Sequence, residues 1–227
     1  VTTVDERLGK AVEHFWRTRT GQDQRQGVAT GQRDHGSRAA VTGGKQLDGF
    51  AILIYELLIE SGLPGGNVFT RKRDVVLPGY FRPSKEWDLI VIYDNQLIAS
   101  VEFKSQVGSF ANNFNNRVEE ALGNATDLHT AYREGAFAPA PQPWMGYLML
   151  MQQAPESTRP ARLNERHFPA RDEWKNTSYA KRYEMFCQKI VRERLYDAAC
   201  FLLSDEVGFR NFAASLVGHV SGVVRMK

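Results

Sequence analysis

The sequence predicts an α/β fold, a mixed central sheet flanked by helices. Two observations carry that prediction. Apolar segments switch between helical and strand periodicity in the order helix, strand, strand, strand, helix, strand, helix, which is the signature of layered α/β packing. The run WMGYLMLMQ at 144–152 is short and continuously apolar, the pattern of a strand covered on both faces. With no internal repeat and no second run of core residues, residues 1–227 read as a single domain.

The elements follow in order. Thr3-Val-Asp-Glu6 is a capping box, and Leu8, Val12 and Phe15 continue it at helical spacing, predicting a helix over 4–19. Residues 20–45 are rich in Gly, Gln, Arg and Ser and cannot fill a core. They read as a long polar loop whose Arg25, Arg33 and Arg38 could follow a phosphate backbone or simply be solvated. From 45 to 61, Leu47, Phe50, Ile54 and Leu58 define a buried helix, stopped by Gly62-Leu-Pro-Gly-Gly. Residues 67–78 read as a strand with a charged outer portion, 115–134 as an amphipathic helix with Val118, Leu122 and Leu128 inward. A final helix starts at the cap Ser178 with Tyr183, Phe186, Cys187 and Ile190 inside.

Composition narrows the class. Hydrophobic content of 42% and charged content of 24% are those of a soluble globular chain. No apolar run reaches membrane-spanning length and the N-terminus lacks a signal-peptide core, so no membrane partner and a cytoplasmic location are expected. Cys187 and Cys200 read as buried reduced thiols. A net charge of +3 permits a polyanionic partner without requiring one. The five histidines show neither zinc spacing nor a nucleophile–base pattern.

Residues 86–108, EWDLIVIYDNQLIASVEFKSQVG, hold the chemistry. They read as two apolar strands and a turn, yet Asp88, Glu102 and Lys104 occupy strand positions, where unpaired charge is costly to bury. A three-residue loop, Asp94-Asn95-Gln96, sets Tyr93 against Leu97 and gives one wholly apolar face: Trp87, Leu89, Val91 and Tyr93 with Leu97, Ala99, Val101 and Phe103. The other face then places Asp88 opposite Glu102, with Lys104 on the same side. A two-residue loop would oppose Asp88 to Val101 and scramble both faces. Facing carboxylates repel unless a cation lies between them, and converging hard oxygens are what Mg²⁺ takes. The bland alternative is a structural ion triad at a sheet end.

Set on a hairpin after a helix and a strand, and before a helix and an apolar strand, this Asp…Glu-x-Lys spacing resembles the PD-(D/E)xK nuclease superfamily. That resemblance implies a restriction-endonuclease-like αβββαβ core. Trp87 stands where the family often has proline. GGKQLDGF (43–50), LPGYFRPSKEWD (77–88), VEFKSQVG (101–108), NNFNNRVEEALG (112–123) and SYAKRYEMFCQK (178–189) more closely resemble the XhoI-type restriction endonucleases, which cut CTCGAG.

The resemblance implies Asp88, Glu102 and Lys104 as catalytic residues, with Mg²⁺ held by Asp88, Glu102 and the Phe103 backbone carbonyl. It offers Asp48 as an auxiliary helix acid, with Glu56 as competitor. Its implied partners are double-stranded DNA, a second copy in a homodimer, and a host methyltransferase. Asn112, Asn113, Asn115, Asn116 and Arg117 carry the donor–acceptor chemistry that reads adenine and guanine, and Arg33 and Lys45 suit arms around the duplex. Lys181, Arg182, Lys189 and Arg192 read as a solvated face of the last helix. Arg71, Lys72 and Arg73 could meet phosphates or merely keep an edge strand soluble. The rival functions are a structure-specific repair or recombination nuclease and a non-catalytic DNA-binding relative.

Overall fold

The computed structural model describes residues 3–30, 45–204 and 215–219, with only the backbone course given for 20–30. Its main elements are α1 (Val4–Thr30), α2 (Asp48–Glu60), β1 (Val68–Phe69), β2 (Val76–Pro78), β3 (Ser84–Glu86), β4 (Leu89–Tyr93), β5 (Gln96–Gln106), α3 (Phe110–Arg133), β6 (Trp144–Met151), α4 (Pro155–Thr158), α5 (Tyr179–Arg192) and β7 (Ala198–Leu202). Strands β1-β4-β5-β6-β7 form one five-stranded sheet, while β2 and β3 form a separate two-stranded ribbon. Pairing is antiparallel from β1 to β5 and parallel from β5 to β7, so the sheet is mixed.

Helices cover both faces. On one side Leu8 and Phe15 of α1 and Phe50, Leu53 and Ile54 of α2 bury against Leu89, Val91, Val101, Leu148 and Leu202. On the other, Ala121, Ala125 and Leu128 of α3 and Tyr183, Phe186 and Ile190 of α5 bury against Ile90, Met145, Tyr147 and Met149. Every residue of β6 is buried, as its continuous apolar run requires. The predicted αβββαβ order is present as α2, β1, β4, β5, α3, β6.

Both expected caps form. Thr3 Oγ1 accepts from the Glu6 amide while Glu6 Oε2 accepts from the Thr3 amide, and Ser178 Oγ accepts from the Lys181 amide. Cys187 and Cys200 are buried thiols that form no disulfide with each other.

Several expectations need correction. Helix α1 runs to Thr30 rather than ending at 19, because Gln and Arg sustain a helix without supplying an apolar face. Residues 31–44, with Arg33 and Arg38, lie outside the described residues. The strand expected over 67–78 is split by a 3-10 turn at Lys72–Asp74 into β1 and β2, which belong to different sheets. Helix α3 starts at Phe110, five residues early, and its Leu122 is 38% exposed while Asn124 and Asp127 point inward. Strand β7 was not anticipated.

The hairpin turn is also corrected. Asp94 and Asn95, both at positive φ, make a two-residue turn, pairing Tyr93 with Gln96 and Ile92 with Leu97. Such primed turns match strand twist, and Asn and Asp tolerate the left-handed region. A bulge between Val91 and Ile92 in the ladder then restores the expected register, Val91↔Ala99, Ile90↔Ser100 and Leu89↔Val101. The consequence is local. Leu97 moves to the α3/α5 face, and Ile98 and Ala99, neighbours in sequence, both bury on the α1/α2 face. Trp87 also packs on the α3/α5 side, because the chain bends at Asp88 before β4 begins.

Candidate active site

Asp88 is delivered by that bend, not by a strand position. Beyond the last ladder pair, Leu89↔Val101, its Oδ2 accepts the Phe103 amide at 2.7 Å, tying it across to β5. Glu102 and Lys104 follow on β5, two residues apart and therefore on one face, and the Lys104 ammonium is hydrogen-bonded to Glu102 Oε1. The sequence-predicted trio is thus brought together.

Glu102 is only 2% exposed, an expensive place for a carboxylate. What sustains it is a pair of amines. The second is Lys85 of β3, whose Nζ lies 2.6 Å from Glu102 Oε2, 3.0 Å from the Glu86 carbonyl and 4.2 Å from the Trp87 ring centroid. Burial alone would raise the Glu102 pKa, but the Lys104 and Lys85 ammoniums outweigh it and hold the carboxyl below its ordinary value. Burial likewise opposes the Lys104 charge, and the Glu102 and Asp88 carboxylates outweigh it, raising that pKa.

Asp88 is left in the opposite condition. Crowding in the cleft, then the charge of Glu102, push its carboxyl up to about 6. The residue still meets solvent at the cleft mouth, so water moderates the shift, but the direction is upward. The Lys104 and Lys85 ammoniums offset this only in part, and a divalent cation between Asp88 and Glu102 would supply further positive charge. The donor set fits a hard metal on that ground. The Phe103 carbonyl fits too: within a strand the amide and carbonyl of one residue face the same side, and the Phe103 amide faces Asp88. Among the described residues no group of three or more His, Cys, Asp or Glu converges closely enough to hold a metal by itself.

Asp88 opens into a cleft of about 470 Å³ lined by Lys45, Asp48, Arg71, Lys72, Glu86, Trp87 and Phe103 among others. Asp48 therefore shares the cleft with Asp88. Glu56 does not: it sits 3.6 Å from Arg7, on the side of α2 that faces α1. Arg71 and Lys72 are exposed cations on the cleft wall, in the turn between β1 and β2.

The asparagine cluster lies in the first turns of α3 rather than in a loop. Asn112, Asn115 and Asn116 are exposed at the spacing of one helical face, while Phe114 turns inward against Trp174, Tyr179 and Tyr183. Asn113 Nδ2 donates to the Ser109 carbonyl, and Arg117 pairs with Glu120 at 2.7 Å. On α5, Arg182 departs from the solvated face expected of it: it is buried, donating to Thr177 Oγ1 and to the Ala161 and Arg162 carbonyls. Lys181 and Lys189 are held in ion pairs with Glu184 and Glu173.

Two residues escaped sequence reasoning. Lys85 lies three before Asp88, and only recognition of Gly79-Tyr-Phe-Arg-Pro83 as a hairpin tip would have folded it back onto Glu102. Asn124, buried on α3, donates to Glu102 Oε1 at 3.3 Å; a polar residue on the helix's inner face was the available signal.

A mixed five-stranded sheet between helix layers, with an Asp and a Glu-x-Lys meeting at the ends of an antiparallel pair, defines a restriction-endonuclease-like nuclease fold. The sequence family described as restriction endonuclease XhoI matches residues 25–214, and the chain belongs to that family, whose members are site-specific deoxyribonucleases. Among curated relatives it is 53% identical to the type II restriction enzyme BstVI of Geobacillus stearothermophilus, over 78% of this chain and 81% of that one. It is 47% identical to AbrI of Azospirillum brasilense, over 70% and 71%, and 44% identical to XhoI of Xanthomonas vasicola, over 69% and 64%. No solved structure matches it. Among the described residues no helix is long and apolar enough to cross a membrane.

Proposed function

We infer that this chain is a Mg²⁺-dependent type II restriction endonuclease that cuts both strands of CTCGAG as a homodimer, leaving 5′-phosphate ends. The observation that carries the reading is the pairing of a buried, doubly lysine-bound Glu102 with a cleft-facing Asp88 that is tied to the same strand through the Phe103 amide. Asp88, Glu102 and the Phe103 carbonyl would hold the metal. When bound, Mg²⁺ polarises a phosphoryl oxygen, lowers the pKa of a water and stabilises the leaving alkoxide. Lys104 orients the attacking water and pairs with charge developing on the phosphorane. In-line attack then breaks the bond to the 3′-oxygen, which leaves as a hydroxyl once protonated. Of the two candidate auxiliary acids, this reading takes Asp48, which lines the cleft with Asp88, over Glu56, which lies beside Arg7.

The DNA reading of α3 rests on its exposed asparagine face, and that of Lys45, Arg71 and Lys72 on their place along the cleft. The relatives' shared description as type II restriction enzymes favours sequence-specific cutting over a structure-specific repair activity. The test is digestion of plasmid DNA with mapped ends. Discrete fragments that end in 5′-phosphates within CTCGAG, formed only with a divalent metal, support the reading. Nicking or degradation without shared sequence removes it.

A further inference from the structure

The β2–β3 ribbon ends in a tip whose two aromatic side chains point into solvent: Tyr80 is 52% and Phe81 69% exposed, in edge-to-face contact at 4.9 Å. The tip is nevertheless fixed. The amides of Tyr80 and Phe81 both donate to Asp127 Oδ1 at 2.8 Å, and Arg82 Nε donates to Asp127 Oδ2 at 2.7 Å. At Gly79 an added Cβ would lie 2.6 Å from Asp127 Oδ2 and 2.7 Å from the Arg82 carbonyl, so this close approach needs glycine. Arg82 Nη2 continues to Asn124 Oδ1 at 2.7 Å, and Asn124 reaches Glu102 Oε1. A few residues past the tip, the same ribbon sends Lys85 to the other oxygen of Glu102.

We propose that Tyr80 and Phe81 are a wedge that inserts into the DNA duplex beside the scissile phosphate, and that Asp127, Arg82 and Asn124 are positioning residues linking that wedge to Glu102. This rests on the nuclease reading above. The reach is right. Asp127 and Asn124 are one helical turn apart, so the hydrogen-bonded path sets the rings within roughly 15 Å of Glu102. That is close to the breadth of a major groove, about 12 Å. The network ends on the Glu102 carboxylate, so a duplex lying along the α3 side of Glu102 would come within reach of the tip. The chemistry is right as well: exposed apolar rings on a rigid, hydrogen-bonded arm are what unstack a base step, whereas a merely solvated tip gains nothing from two aromatic side chains.

The experiment uses duplex DNA carrying the cleaved sequence, with 2-aminopurine at successive positions in and beside it, and the full-length protein. With Ca²⁺ replacing Mg²⁺ to prevent cutting, the parent protein should raise 2-aminopurine emission at one step. Tyr80→Ala/Phe81→Ala should abolish that rise and slow single-turnover cleavage about 30-fold or more. The ring-preserving swap Tyr80→Phe/Phe81→Tyr should restore both. Asp127→Asn should lower the single-turnover rate while leaving DNA affinity within about threefold, the split expected of a positioning residue.

Unchanged emission and cleavage in the double alanine variant overturn the wedge. So does its conversion of a dimer to a monomer in sedimentation, which would make the tip a protein interface. Failure of the parent to cut any DNA would remove the nuclease reading instead, a result the variants cannot mimic.

Discussion

Glu102 keeps a full charge at 2% exposure because two ammoniums divide its two oxygens. The two lysines differ in duty, and substitution separates them. Lys104→Ala removes the amine assigned to the attacking water but leaves Lys85, so cleavage should fall about 10²–10³-fold with specific binding nearly intact, one amine being a small part of a phosphate interface. Single-turnover rates within about tenfold of the parent, roughly 1.4 kcal/mol, would remove Lys104 from the chemistry. Lys85→Met, by contrast, strips one oxygen of a buried carboxylate and should cost about 1–3 kcal/mol in urea unfolding at pH 8. An unchanged midpoint would mean that the pair contributes nothing net. Asp88 gives a pH test. Its folded value, about 6, lies above the ordinary 3.8, so the folded protein holds that proton more tightly than the unfolded chain does. The favourable contribution is therefore complete below pH 3.8 and lost as pH rises through 6. Asp88→Asn removes the cost of the ionised form. Without metal, the variant should melt above the parent at pH 8, with the gain fading toward pH 4, while its cleavage is lost because an amide is a poor Mg²⁺ ligand. An equal gain at both pH values would place its cause elsewhere.

The hairpin shows how an element can be legible in one respect and hidden in another. Opposing apolar residues dictated that Leu89 meet Val101, and the structure has that pair. Alternation carries no record of a bulge, however, because one extra residue near a turn changes faces for only Leu97 and Ile98 before the register recovers. The same reason explains β1 and β2: at two and three residues, strands are too short to show a period, and their separation into two sheets depends on long-range pairing. The second half of α1 was hidden because its polar residues favour helix without offering an apolar face. The long, two-sided elements α2, α3, β6 and α5 were readable, since burial stamps a period on many consecutive positions. Asp88, Glu102 and Lys104 were readable because charge breaks such a period. Lys85 was not, since its partner is chosen by the ribbon's fold. The turn itself is testable. Asn95 sits at φ 58, so Asn95→Gly should leave stability intact or raised, while Asn95→Val should cost about 1–2 kcal/mol in chemical denaturation. Equal stability of the two variants would contradict the two-residue turn.

At the scale of the whole molecule, one chain offers one Asp88–Glu102 pair, while a double-strand break needs two hydrolyses. A palindrome presents two equivalent scissile phosphates related by a two-fold axis, and a two-fold dimer matches them with one site each. Each half of CTCGAG contains both G·C and A·T pairs, so major-groove reading requires donors for guanine and bidentate amides for adenine. Helix α3 presents Asn112, Asn115 and Asn116 on one exposed face, immediately after the strand that carries Glu102 and Lys104. Its Arg117 is engaged with Glu120 and would exchange that partner for a base or phosphate. Lys45, Arg71 and Lys72 instead line the cleft, where a backbone would pass. Substitution should divide these groups. Asn115→Ala and Asn116→Ala should lower cleavage at CTCGAG by about tenfold or more, a discrimination of roughly 1–3 kcal/mol, and leave binding to unrelated duplex unchanged. Arg71→Ala and Lys72→Ala should weaken specific and nonspecific binding together and reduce the salt slope by about one each. Sequencing the ends cut from a random-sequence library decides the target. Ends at a different palindrome would keep the nuclease and discard CTCGAG, whereas an asparagine variant that cuts CTCGAG at the parental rate would move base reading away from α3.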